Sequence, residues 1–456
     1  MRFDLHLFAV GLFNATIGRL VVQDTTLKSA LRTCNILQES LGPEVVQLSG
    51  DPNFTTSSTA AWSLFNTISK PACVILPRNA FDVQSTMASI FRNKNRYAVQ
   101  AGGHSAMTGW NSIQDGILIT FANMKAVSYD PVKGTITLEP GVHWGEALSQ
   151  LSPQGVAPLG GRFNDVGTGL LLGGGLSYLS GEYGFSADTY REVDVVLVSG
   201  ELVTATATNQ YQDLFRVLKG GANRFGIVTR YEVDAIPVGT NDDKNFFGGL
   251  IVYPNSSADA LLHATEKYVR TISDPKASIL MAFTATTNDT DITASHILTL
   301  FYHGNSLPEH IFGDFLSIPS LFSQLSAVSY LEVNSILGDG ADRGYGQLFG
   351  GSAFKADVGI DAYRKAFADW NVLVETIRDS ISGIVLAFTP IPDSAISVGK
   401  MRGSNIIDPP RGNYATLQVQ TQFNAGITVQ SPQVNAARQT FLARYELPYC
   451  IFTDND

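Results

Sequence analysis

The amino-acid sequence predicts an α+β fold in two parts, a glycine-rich α/β half followed by an antiparallel sheet with helices on one face. Three observations carry this. The 456-residue length exceeds what one ordinary core serves, so two domains are expected. The densest glycine clusters fall in the first half, where they mark turns and ligand loops. After about Pro237 those clusters thin out, and strand-like stretches alternate with helix-like ones.

The first element is open between two readings. Arg2 precedes the apolar stretch Leu5–Ile17, so residues 1–20 have the shape of a secretory signal, yet Asp4, His6 and Asn14 fit an amphipathic helix. Residues 25–42 read as a helix, with Leu27, Leu31, Ile36 and Leu37 apolar and Gly42-Pro43 as the stop. Cys34 and Cys73 are either bridged, which would be worth roughly 4 kcal/mol, or two buried thiols. Sequons at Asn53, Asn255 and Asn288 add modest weight to the secretory route.

Residues 55–69 form a polar approach anchored by Trp62 and Phe65. A short strand over 72–76 ends at Pro77. An amphipathic helix over 82–93 follows, with Val83, Met87, Ile90 and Phe91 on one face, and then a strand over 97–101. This is a strand–helix–strand unit.

The stretch Tyr97–Trp110, YAVQAGGHSAMTGW, organises the rest. Its strand runs into Gly102 and Gly103, where bare backbone can aim several N–H groups at one anion. His104 and Ser105 follow, and Gly109 closes the segment. The bland alternative is a glycine turn with an incidental histidine.

Short strands are expected at 116–119, 127–130 and 135–139, then a helix over 144–151. Residues 160–175 hold seven glycines in sixteen positions, which implies backbone packed close to something flat or to other backbone. No strand feeds a G-x-G-x-x-G helix start there, and a Walker lysine is missing. A turn over 183–188, strands at 193–199 and 202–204 and a helix over 211–218 lead to a third glycine loop, 219–228. Three such loops point to several sides of one extended ligand. Beyond it, strands are expected at 247–253, 278–286, 297–303 and 414–424, and helices at 257–272, 308–317, 360–380 and 432–445.

The net charge of −10 and the absence of any basic run argue against a nucleic-acid partner. No apolar segment is long enough to span a bilayer. The seven histidines show no metal-ligand spacing, and His143 reads as structural.

Taken together, the three loops resemble the PCMH-type FAD-binding fold of the vanillyl-alcohol-oxidase superfamily, and more closely its berberine-bridge-enzyme-like, FAD-linked oxidoreductases. The resemblance is good over residues 30–240 and loose over 240–430. It implies a PCMH-type FAD-binding domain of two α/β subdomains at 67–238, a substrate domain at 239–430 and an atypical, shortened C-terminus at 431–456. It implies FAD held by Ala101, Gly102, Gly103, His104, Ser105 and Gly109 in the first loop. The second loop would contribute Val166, Gly167, Gly169, Leu170, Gly173, Gly174 and Gly175, and the third Asn223, Gly226, Ile227 and Val228. His104 would be bonded covalently to the flavin. Phe163 stands where doubly tethered members carry cysteine, so a single bond is expected.

The resemblance also implies a Cys34–Cys73 disulfide. The expected reaction passes a hydride from a small organic alcohol, sugar or natural-product intermediate to FAD, with molecular oxygen as acceptor. A base takes the accompanying proton. The proposed catalytic residues are Tyr414 and Asn405, with Tyr253, Tyr302 and Tyr345 as further candidate bases. The alternatives are a dehydrogenase with another acceptor and a truncated, impaired remnant. A secreted monomer with no metal and no membrane partner is expected.

Overall fold

The structure is a computed structural model and describes residues 25–445, apart from 289–290 and 337. The expected signal stretch and the last residues of the C-terminus lie outside the described residues.

The chain forms three main sheets. The first places Val46–Leu48, Cys73–Ile75, Ile117–Thr120 and Tyr97–Gln100 side by side, the last three strands parallel. Its crossover helix, Ala80–Asn93, starts where the Asn79 side chain accepts from the Asp82 N–H and ends at Lys94 in the left-handed region. Val83, Met87 and Ile90 of this helix are buried on the sheet as the spacing predicted, whereas Phe91, expected on the same face, is exposed because it lies one residue past Ile90, about 100° round the helix. The helix over 25–41 packs on the same core, and a Cys34–Cys73 disulfide joins it to the central strands. The polar approach contains two short helices, Phe54–Ser58 and Leu64–Thr67.

The second sheet is antiparallel, in the order Val127–Asp130, Thr135–Leu138, Ile227–Asp234, Tyr190–Val196, Leu202–Thr206. The third has seven antiparallel strands: Phe322–Val328, Phe246–Pro254, Ile292–Tyr302, Ala277–Thr287, Ile381–Ile391, Tyr414–Phe423 and Gln347–Lys355. Helices Ala258–Thr271, Glu309–Leu316, Ile360–Ile377 and Pro432–Ala443 cover one face of it, around buried Trp370, Phe283 and Phe388. This is the predicted α+β architecture.

Three strands of the large sheet escaped the sequence reading. Gln347–Lys355 is interrupted by Gly350-Gly351. Phe322–Val328 is an edge strand whose side chains are mostly exposed, so it lacks an apolar face. Ile381–Ile391 is apolar almost throughout, without clean alternation.

Candidate active site

The first and second glycine loops meet backbone to backbone. A Cβ added to Gly102 would lie 2.7 Å from the Gly167 Cα, and one added to Gly167 would lie 2.7 Å from the Gly102 Cα. No side chain fits at either place. A bridge between His143 and Gly167 holds the second strip. Gly103 has φ 76°, the left-handed region in which glycine is unstrained.

A residue the sequence reading did not single out builds the first loop. Asn66 is buried, and its amide donates to the carbonyls of Ser105 at 3.1 Å and Met107 at 3.2 Å. Its oxygen accepts from the Gly109 N–H at 2.8 Å and the Ser112 hydroxyl at 3.2 Å. Asn111 donates to the Gly103 carbonyl at 3.1 Å. One buried asparagine thus holds four groups of a loop that has no regular structure of its own.

Between the first two sheets runs a cleft of about 390 Å³. Ala101, Gly109, Gly169, Asn223, Gly226, Ile227 and Val228 line it, so members of all three predicted loops face one space. Tyr97 and Val99, on the strand leading into the first loop, form part of its wall. A neighbouring cavity of about 450 Å³ shares only Tyr97 and Gly109 with it and touches neither of the other two loops. Other glycines serve packing instead. Gly160 and Gly161 sit against the Trp144 indole, Gly174 against Ile407 and Gly175 against Ser186 and Leu170. Val166 and Leu170 pack on the core of the second sheet, and Gly173 closes the short helix Gly169–Leu172.

His104 stacks on Trp62, with ring centroids 4.2 Å apart and planes 13° apart. Trp62 is pinned by its own N–H, which donates to the Gly103 carbonyl at 2.9 Å. The His104 Nε2 lies 2.9 Å from the Gly340 carbonyl, which can only accept, so this nitrogen donates. Burial pushes the imidazolium below its ordinary value. The Gly340 carbonyl, Asp165 and the residue's own carbonyl pull the other way and only partly offset it. The ring is therefore neutral at neutral pH.

Residues 338–344 form a strap over this histidine. The Asp339 carbonyl accepts from the Asp165 N–H at 2.9 Å, and its carboxylate from Asn164 at 2.8 Å. Arg343 pairs with Asp165 at 2.9 Å, and His143 Nδ1 lies 3.3 Å from the same carboxylate. Burial pushes the Asp165 carboxyl up, but His143 and Arg343 outweigh it and hold it below the usual carboxylate range. His143, read as structural, thus stands beside the site, with its Nε2 3.2 Å from where a Gly102 Cβ would be.

Trp62 also leans on Phe349, at 6.0 Å, which connects the histidine to the large sheet. Phe349 lies opposite Gln420, on the sheet face away from the helices. Alternation places Tyr414, Thr416, Gln418, Gln420 and Gln422 on this face, while Leu417, Val419 and Phe423 enter the helix-side core. The glutamines are linked: Gln347 donates to Gln422 at 2.8 Å, and Gln420 donates to Gln347 at 3.3 Å.

The remaining predicted residues fall as follows. Tyr414 begins its strand half-buried, packed with Leu176, Phe185 and Ile391 where the large sheet meets the second loop. Asn405 is buried; its amide donates to Asp188 at 2.9 Å and its oxygen accepts from the Asp408 N–H at 3.2 Å. Ser105 accepts from the Met107 N–H at 3.1 Å. Tyr253 lies in the helix-side core and donates to the Phe315 carbonyl at 2.9 Å, away from the open face. Tyr302 donates to Asp274 at 3.2 Å, and the Tyr345 carbonyl accepts from the Leu64 N–H at 2.8 Å. Among the described residues no group of three or more His, Cys, Asp or Glu could hold a metal ion, and no helix is long and apolar enough to cross a membrane.

Known proteins share this arrangement. Residues 71–206 match the family model described as FAD binding domain. An FAD-linked oxidoreductase of Arthroderma benhamiae is 33% identical over 387 residues, covering 83% of this chain and 75% of the relative. An FAD-dependent monooxygenase of Arthrobotrys oligospora is 31% identical over 396 residues, covering 85% and 73%. The solved structure of berberine bridge enzyme superposes with a TM-score of 0.69 at 15% identity, over 92% of this chain and 86% of that one. The three-loop cleft and these likenesses agree: the chain has the fold of berberine bridge enzyme and belongs to the FAD-linked oxidoreductases.

Proposed function

We propose that the protein is an oxidase that holds FAD covalently through His104 and oxidises a small organic substrate, with molecular oxygen as the final acceptor. The observation that carries this reading is the combination of one cleft lined by all three glycine loops with a neutral, stacked histidine on the first of them. The cleft fits an extended dinucleotide, since all three loops line it and Gly109, Gly169 and Gly226 leave bare backbone on its walls. When bound, FAD supplies a hydride acceptor and an electron carrier to oxygen.

The chain's own residues have the following roles in this reading. The loop Ala101–Ser105 binds the pyrophosphate, and the walls at Gly169, Asn223 and Gly226–Val228 enclose the rest of the dinucleotide. Trp62 and the Gly340 carbonyl hold the His104 ring in one orientation. Because Nε2 donates to Gly340, Nδ1 is left as the lone-pair nitrogen. Tyr414 takes the proton from a substrate O–H; its place at the junction of the open sheet face and the second loop supports this. Asn405 has both ends of its amide engaged, so its role is to position the 403–408 loop over Gly174 and Gly220, against which Ile407 packs. The Cys34–Cys73 disulfide supports a secretory route, because such bonds persist in oxidising compartments.

A second reading, monooxygenation, is favoured by the likeness to the FAD-dependent monooxygenase of Arthrobotrys oligospora. Photoreduction of the purified enzyme followed by admission of air tests oxygen as acceptor without a known substrate. An oxidase regains its flavin absorbance within the mixing time of a stopped-flow instrument; a flavin that stays bleached for minutes contradicts the proposal. Incorporation of labelled oxygen into product would favour the second reading.

A further inference from the structure

The second loop carries a charge that nothing described so far uses. Arg162 follows the two glycines packed on Trp144 and precedes Phe163, whose ring lies against Gly340 beside His104. Its guanidinium sits 5.9 Å from the centroid of the Tyr178 ring. Among the described residues no carboxylate pairs with it and no carbonyl accepts from it. This sets it apart from the neighbouring cations: Arg343 pairs with Asp165, and Arg402 with Asp234.

The surroundings make that isolation costly. Burial pushes the guanidinium down from the ordinary arginine range, and Tyr178 is the only group opposing this. Yet part of the Arg162 surface remains open. Tyr178 is buried, and its hydroxyl has no hydrogen-bond partner in the structure. Its ring stacks on Phe301 at 5.2 Å, and Phe301 belongs to the sheet face turned away from the helices. A five-donor fork without a hydrogen-bond partner therefore sits over the Tyr178 ring, between the second loop and the sheet that carries Phe301. Unpaired buried donors are expensive, and the arginine fork matches a planar oxyanion in bidentate fashion.

We infer that Arg162, seated over the Tyr178 ring, forms an anion-recognition site for the substrate, which is an organic acid or acidic enol or phenol with its oxyanion on the guanidinium. This rests on the proposed reading of the sheet face as the substrate side and names the class of substrate it takes.

The test uses the flavin-loaded full chain, with benzoate as the anionic probe and benzamide as its neutral counterpart. Binding is read twice, as a flavin absorbance difference spectrum and as a shift in thermal unfolding. Benzoate is expected to saturate and benzamide to bind at least about tenfold more weakly, which corresponds to roughly 1.4 kcal/mol. Arg162→Gln should remove the preference with bound flavin unchanged, and Arg162→Lys should retain part of it.

Equal binding of the two probes overturns the inference, and that comparison stands even if Arg162→Gln does not fold. Loss of FAD in Arg162→Gln also overturns it, because the cofactor would then be the guanidinium's partner. The thermal shift does not depend on how FAD is attached, so failure of the covalent assignment leaves a distinct signature.

Discussion

The two halves of the site are made from different material. In the first half the loops are built from backbone: Gly102 and Gly167 pack so closely that any Cβ collides, and Asn66 ties the first loop by four hydrogen bonds. In the second half the material is side chain: a strand showing Tyr414, Thr416, Gln418, Gln420 and Gln422 on one face, backed by a helix-covered core. A surface of backbone admits few variations, because any added side chain collides. A surface of alternating side chains can change at each position without disturbing the core behind it.

Three substitutions or conditions sharpen that contrast. The largest effect is expected from Gly102→Val, which places side-chain atoms where Gly167 backbone already sits. Flavin content, read from the ratio of visible to ultraviolet absorbance, should fall nearly to zero, with a stability loss of about 1–3 kcal/mol. A variant retaining full flavin would show that the contact is slack.

Next, Tyr414→Phe should leave flavin content unchanged. It should slow flavin reduction about a hundredfold or more with any substrate bearing an ionisable O–H, because a proton acceptor is lost. A matching loss of bound flavin would move Tyr414 from the chemistry to the cofactor cradle.

The smallest effect is on pH dependence. His104 is lowered in the folded chain from an ordinary value of 6.5. The unfolded chain therefore takes up its proton first as pH falls. The stability due to neutral His104 is fully present above 6.5 and is lost as pH drops through the folded value. His104→Gln should flatten that part of the profile, and an unchanged slope would assign it to other groups.

The contrast also explains what could be read from the sequence. The Gly-Gly-His stretch, the sixteen residues with seven glycines and the 219–228 loop were legible because backbone sites demand glycine, which is visible locally. His104's surroundings were not. Trp62 is far away in sequence, and Gly340 lies in a loop with no propensity signal; both reach the histidine only through the tertiary fold. Asn66 looks like any helix-end asparagine until the loop it holds is seen. The glutamine stripe needed a register, because shifting a strand by one residue exchanges its two faces. Tyr253 shows the cost: it is plausible as a base by residue type, but it points into the helix-side core. Arg162 was passed over for a similar reason, since an arginine's missing partner is invisible until its neighbours are in place.

The central claim is that His104 tethers the flavin. Acid precipitation of the purified wild-type protein and of His104→Ala, with absorbance of pellet and supernatant, tests it most directly. The account predicts a yellow wild-type pellet and a colourless variant pellet with FAD released into solution. A colourless wild-type pellet, or equal retention in the two proteins, would contradict it.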